Sequence, residues 1–195
     1  MEQSKNHQAL LKLCAASVMT AIVFVGNYLR VTIPISLGGV TSFTLANILC
    51  ALSGILLGPY WGFVAAGCGS AFYDTTNPAF ASEAPITLCT KGMYGLVAGL
   101  VLYYVFRNAK ERYGSQVVAA ACAAVGYMLV YSAKVFFYNG MVIQGFTEPV
   151  QCWALVVSKL PATLFNGVVA IIGAPILGIA IMKALRAAHL EKMLA

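Results

Sequence analysis

The 195-residue chain is 61% hydrophobic and 9% charged, with a mean hydropathy of +0.84. An ordinary soluble domain carries about 25% charged residues, so the composition excludes one and points to an integral membrane protein. The formal net charge of +6 marks topology rather than nucleic-acid binding. Lys5, Lys12, Arg107, Lys110, Arg112, Lys183, Arg186 and Lys192 fall on the two tails and one loop, where basic residues mark the cytoplasmic side.

The hydrophobic runs are too continuous for the alternation of a barrel, and open sheet edges are not sustained in hydrocarbon. An all-α membrane domain follows, a single six-helix bundle over residues 1–195 with both termini cytoplasmic. Helix 1 is expected over about 10–29, as a retained span and not a cleaved signal peptide. The segment from Arg30 to Ser42, with Pro34, Gly38 and Gly39, reads as an outer loop. Helices 2 and 3, about 43–57 and 60–74, are separated by an abrupt Gly58-Pro59 turn. A second outer loop runs from Thr75 to Pro85 and carries Asn77-Pro78 and Glu83. Helix 4 covers about 86–106, with Gly95 and Gly99 as a G-x-x-x-G packing face. Helix 5 covers about 117–138. The last helix, about 153–185, contains Pro161, suited to a first turn, and Pro175, which should kink it.

Three lysines lie within these apolar runs. Thr87, Lys91 and Tyr94 are spaced i, i+4, i+7, as are Tyr127, Tyr131 and Lys134 (continued to Tyr138) and Lys159, Thr163 and Asn166. Ser70, Asp74 and Asn77 repeat the interval, which stacks side chains on one helix face. A lysine at bilayer depth costs roughly 2.5–3.5 kcal/mol on insertion scales, so such residues face a polar interior. The topology places Lys91, Lys134 and Lys159 in the outer half of the membrane, with Lys91 about 9 Å below the start of its helix. Four inward stripes then enclose a polar pocket open to the outside.

Blander readings compete. Lys134 and Lys159 are near enough to helix ends to snorkel to the headgroups. Asp74 and Lys91 could form a purely structural ion pair. Tyr28, Tyr60, Trp61, Tyr103 and Tyr104 read as an interfacial aromatic belt. The six cysteines contain no C-x-x-C and read as apolar filler, so no metal or disulfide is expected. His7 and His189 are on the tails, and there is no H-E-x-x-H, G-x-S-x-G or phosphate-binding loop. No catalytic site and no cofactor is expected.

The stretch from Phe43 through Leu57-Gly58-Pro59-Tyr60-Trp61-Gly62, then Gly67-Cys-Gly-Ser-Ala-Phe-Tyr-Asp74 and Thr90-Lys91-Gly92, resembles the substrate-binding S-component of energy-coupling factor (ECF) vitamin transporters. The likeness extends from helix 1 to Lys159-Leu-Pro161-Ala and is closest to the riboflavin-transporter-like branch. It implies a binding subunit that captures a vitamin or precursor from outside under a cap formed by Arg30 to Ser42. It also implies partners in the bilayer and below it: a membrane coupling subunit and two cytoplasmic ATPases. Family docking uses small residues on helix 1, here Ala16/Thr20 and Ser17/Ala21, which are small but not strictly alanine. An acidic residue is frequent in the family near Asn47, where this chain has an amide. The residues expected to contact substrate are Asn47, Asp74, Asn77, Thr87, Lys91, Tyr94, Tyr131, Lys134, Tyr138, Lys159, Thr163 and Asn166. Riboflavin, pyridoxine-like compounds and thiamin-pyrimidine precursors all suit a site of tyrosine and amide groups. The alternative is a self-sufficient secondary carrier or channel for a small polar solute, residing in a bacterial plasma membrane like the S-component.

Overall fold

The computed structural model describes residues 2–34, 40–78 and 80–188; the side chains of residues 2–8 and 40 are not described. Gly38 and Gly39 of the expected loop, and His189 and Lys192 of the C-terminal tail, lie outside the described residues. Five helices are long and apolar enough to cross a membrane: α1 (Glu2–Gly26), α2 (Ala46–Thr76), α3 (Ala84–Leu100), α4 (Tyr113–Lys134) and α5 (Pro149–Ala187). Two π-helical turns, Val101–Val105 and Val135–Ile143, prolong α3 and α4.

Helix α2 is not a straight rod. At Gly58 the backbone takes φ 79°, ψ −177°, a conformation that costs glycine little and other residues much. Pro59 follows and cannot donate the helical hydrogen bond that would carry the chain on. The two arms, 46–57 and 59–76, therefore fold back on each other. Ser53 Oγ donates to the Gly62 carbonyl at 3.1 Å, and Cys50 Sγ lies 3.8 Å from Ser70 Oγ. In a continuous helix residues 50 and 70 would be about 30 Å apart. The expected turn between helices 2 and 3 is thus present inside one helical element.

Glycines hold α2 and α3 together. A Cβ placed on Gly95 would lie 2.6 Å from the Gly62 carbonyl carbon, and one on Gly99 would lie 2.5 Å from Pro59 Cα. Backbone therefore packs on backbone, and small-residue seams of this kind replace the hydrophobic driving force that lipid does not supply. The main core cluster (Val23, Leu52, Ile55, Tyr94, Leu102, Ala123 and Ala174 among others) spans every helix.

Two expectations are corrected. The segment Arg30 to Ser42 is not simply a loop: Arg30–Pro34 (β1) and Val40–Thr44 (β2) pair antiparallel, with Arg30 opposite Thr44 and Pro34 opposite Val40. The reason lies in the β-branched runs Val-Thr-Ile and Val-Thr-Ser-Phe-Thr flanking the glycines, so the bundle carries a small hairpin. In α5, Pro161 lies well inside the helix, Pro149 holds the first-turn position, and the chain remains helical through Pro175.

At the end away from the hairpin the basic residues gather. Arg186 pairs with Glu111, and Lys110 Nζ sits 3.5 Å from the Tyr103 ring centroid. Burial, then the nearby Arg107 and Lys12, pushes the Lys110 ammonium below its ordinary pKa.

Candidate functional site

Beneath the hairpin lies a cavity of 60 Å³, lined by residues from β1, β2, α2, α3, α4, α5 and the 3₁₀ turn Ala81–Glu83. Helix α3 supplies Thr87, Thr90 and Lys91, and α4 supplies Tyr127, Tyr131 and Lys134. Thr163 and Asn166 come from α5, Asp74 and Glu83 from the C-terminal end of α2 and the 3₁₀ turn, and Phe80 from between them. The ceiling is Arg30 with Thr41, Ser42 and Thr44. Among the described residues, helix α1 contributes none to the lining.

Most of the charged groups are held by a partner. Glu83 accepts from Lys134 Nζ and from Asn139 Nδ2. Asp74 is hydrogen-bonded by Thr87 and stands 4.0 Å from Arg30. Arg30 also donates to Asn27 Oδ1 at 2.9 Å, and its guanidinium packs 4.6 Å from the Tyr73 ring and 4.9 Å from that of Phe80. Lys91, 7% exposed, donates instead to a neutral acceptor, Asn47 Oδ1, and lies 4.9 Å over the Tyr127 ring. Tyr127 stacks on Tyr131 with centroids 5.4 Å apart and an interplanar angle of 23°. These rings form a flat aromatic wall beside the lysines.

The hairpin is fastened by one amide. Asn166 Oδ1 accepts from Thr44 N–H, and its Nδ2 donates to the Ser42 carbonyl, both at 2.8 Å. Phe43 meets Phe165 edge to face at 5.2 Å. Strand β2 is therefore the inner strand, while Val31 and Ile33 of β1 are exposed.

Of the residues expected to form the site, Asp74, Thr87, Lys91, Tyr131, Lys134, Thr163 and Asn166 line the cavity. Asn47 does not reach it but holds Lys91 from behind. Tyr94 is fully buried beside Tyr127, with centroids 5.1 Å apart. Asn77 caps α2 and donates to the Tyr73 hydroxyl at 3.4 Å. Tyr138 donates to the Ser82 carbonyl at 2.9 Å, bracing the 3₁₀ turn. Lys159 is buried on α5 but outside the lining. Two structural alternatives are also resolved: Lys134 is paired with Glu83 and not snorkelling, and the partner of Asp74 is Arg30, not Lys91.

Sequence reasoning assigned Arg30, Thr41 and Ser42 only as part of a cap, and did not assign Thr44, Phe80, Glu83, Thr90 or Tyr127 to the site. Tyr127 was on the recognised stripe of α4. The hairpin residues needed the strand pairing, whose signal was the β-branched runs on either side of the glycines.

On α1, Ala16 is buried against the protein's own core, and the Thr20 carbonyl packs where a Cβ on Gly69 would sit, 2.6 Å away. Ala16 thus faces inward, and Thr20 is half-buried. Ser17 and Ala21 are exposed.

Residues 7–184 match the family model for ECF-type riboflavin transporter, S component. The chain belongs to that family. No curated protein sequence matches it. This S-component is accordingly a multi-pass membrane protein of vitamin uptake, from a family of transporter subunits and not of enzymes. The polar cavity lies where four helices and a hairpin converge, and α1 stands outside it.

Proposed function

We propose that this S-component captures a vitamin or vitamin precursor from outside the cell in the cavity beneath the β1–β2 hairpin. Delivery would then proceed through a membrane coupling subunit driven by two cytoplasmic ATPases. The observation that carries the reading is the convergence of Lys91, Tyr127, Tyr131, Thr163 and Asn166 under a two-stranded lid. In this reading the chain crosses six times, counting the two arms of α2 separately, with the hairpin end outside and the Arg107–Arg112 loop in the cytoplasm, and the placement of basic residues supports it. A bacterial plasma membrane is the setting this implies.

The contacts we assign to substrate are Asp74, Thr87, Lys91, Tyr131, Lys134, Thr163 and Asn166 from the sequence, with Arg30 and Tyr127 added from the geometry. Riboflavin, pyridoxine-like compounds and thiamin-pyrimidine precursors fit the aromatic wall. The cavity at 60 Å³ has room for only a handful of waters, whereas small-molecule sites are commonly about 300–1,000 Å³. Ligand entry thus requires the hairpin to lift, a gating motion of the kind loops perform. Docking is assigned to the outward face of α1 around Ser17 and Ala21.

The test is to purify the chain alone, denature it and identify any released small molecule by mass spectrometry, alongside flux into liposomes. A stoichiometric vitamin or precursor with no flux supports the binding subunit. Solute flux through liposomes containing only this chain overturns it in favour of a self-sufficient carrier or channel.

A further inference from the structure

The cavity holds three cations and two carboxylates, and the pairing among them is specific. Glu83 is taken by Lys134 and Asn139, and Asp74 by Arg30 and Thr87. Among the described residues no carboxylate lies within 4.0 Å of Lys91. Its ammonium has three donors, and the one hydrogen bond found for it goes to the side-chain carbonyl of Asn47. A cation buried with only a neutral amide and an aromatic face is poorly compensated. Insertion into a membrane raises that cost further. The same residue lines the cavity next to the Tyr127–Tyr131 wall.

Building on the binding-subunit reading, we infer that the substrate carries an anionic group, a carboxylate or phosphate on a flat ring, which Lys91 receives while the ring lies along Tyr127 and Tyr131. Asn47 is then a positioning residue. Its neutral amide holds the ammonium in place without neutralising it, and an aspartate there would supply the missing counterion from within the protein. The anion completes the charge balance that the two carboxylates leave open, and a neutral ligand does not.

Matched pairs of compounds differing only in the anion test this: pyridine-3-carboxylate and its carboxamide, 4-pyridoxate and pyridoxine, riboflavin 5′-phosphate and riboflavin. Binding to the purified full chain in detergent is measured by calorimetry, with mass spectrometry of any molecule retained from the cells. The anionic member of at least one pair should bind about tenfold or more tightly than its neutral mate, the scale of one charge-assisted hydrogen bond. Lys91→Met and Asn47→Asp should both erase that preference. Each lowers the charge of the site by one, the first by removing the cation and the second by adding its counterion, so a folding defect in one is checked by the other, with monodispersity and thermal unfolding followed in each. Equal or tighter binding of the neutral members overturns the anionic assignment while leaving the binding subunit intact. So does an anion preference that survives Asn47→Asp. No retained molecule and no binding by any compound overturns the binding-subunit reading, and the anionic substrate with it.

Discussion

Helix α3 shows two faces that solve opposite problems. Gly92, Gly95 and Gly99 turn towards α2, while Thr87, Lys91 and Tyr94 turn towards α4 and the cavity. The two stripes are offset by about 100° round the same helix. On the glycine face the absence of side chains lets backbones touch, leaving nothing for a ligand to occupy. On the other face Thr87 and Lys91 line the cavity that α3 shares with α4 and α5. The glycine seam gives the lysine face a fixed platform, and the hairpin closes the cavity from above.

The largest expected effect comes from breaking the seam. Gly95→Leu would drive a side chain into the Gly62 backbone and Ser53 Oγ, where even a Cβ sits 2.6 and 3.0 Å away. Backbone on the far side cannot yield as a side chain does, so the cost should exceed the usual 1–3 kcal/mol or so of overpacking. Size-exclusion chromatography should show little monodisperse protein. Recovery of wild-type yield and unfolding temperature would mean that α2 and α3 can separate, and the rigid platform would be lost with that result.

On the cavity face the largest effect should follow Glu83→Gln. Lys134 loses its counterion and Asn139 loses a charged acceptor. Stranding one member of a buried pair costs about 3–5 kcal/mol. Adding Lys134→Met should recover most of the lost unfolding temperature, because no isolated charge remains. A double variant no better than the single one would show that Glu83 matters for the 3₁₀ turn and not for the pair.

Weaker still should be Asn166→Ala, which unfastens β2. Two hydrogen bonds to Thr44 N–H and the Ser42 carbonyl vanish, a local loss of about 1–3 kcal/mol. Backbone amides of residues 41–44 should exchange faster with deuterium while α2 and α3 keep their protection. Any bound ligand should dissociate faster. Uniform loss of protection across the bundle would place Asn166 in the core scaffold instead of the lid.

These regions were unequally legible in the sequence. The α2–α3 seam was readable because glycine spacing and the Gly58-Pro59 turn act locally, through backbone conformation and contact distance. The cavity-facing stripes of α3, α4 and α5 were readable from helical spacing, since an apolar environment turns polar residues inward. What escaped was set by tertiary placement. Arg30 reads as an outer cation, and only the docking of β1 turns it onto Asp74, Tyr73 and Phe80. Tyr138 and Lys159 share the interval of their stripes but lie past the depth of the cavity, where periodicity carries no information. The burial of Ala16 likewise depends on the neighbouring helices that share its core cluster.

The smallest expected effect sharpens the contrast from the other side. Gly167 lies on α5, away from the seam, and a Cβ there would sit 3.6 Å from Ala124 Cβ, an ordinary van der Waals contact. Its backbone is helical, so alanine meets no conformational obstacle. Gly167→Ala should therefore leave ligand affinity unchanged and raise the unfolding temperature slightly, reflecting a gain of up to about 1 kcal/mol in helix propensity. If the gain appears here while Gly95→Leu and even Gly95→Ala collapse the fold, the two sides of the bundle differ as the contacts require. Should Gly167→Ala instead lower stability as Gly95→Ala does, α4 and α5 must approach more closely than their present spacing. Close packing would then extend through the whole bundle, and the cavity would owe its space to the hairpin alone.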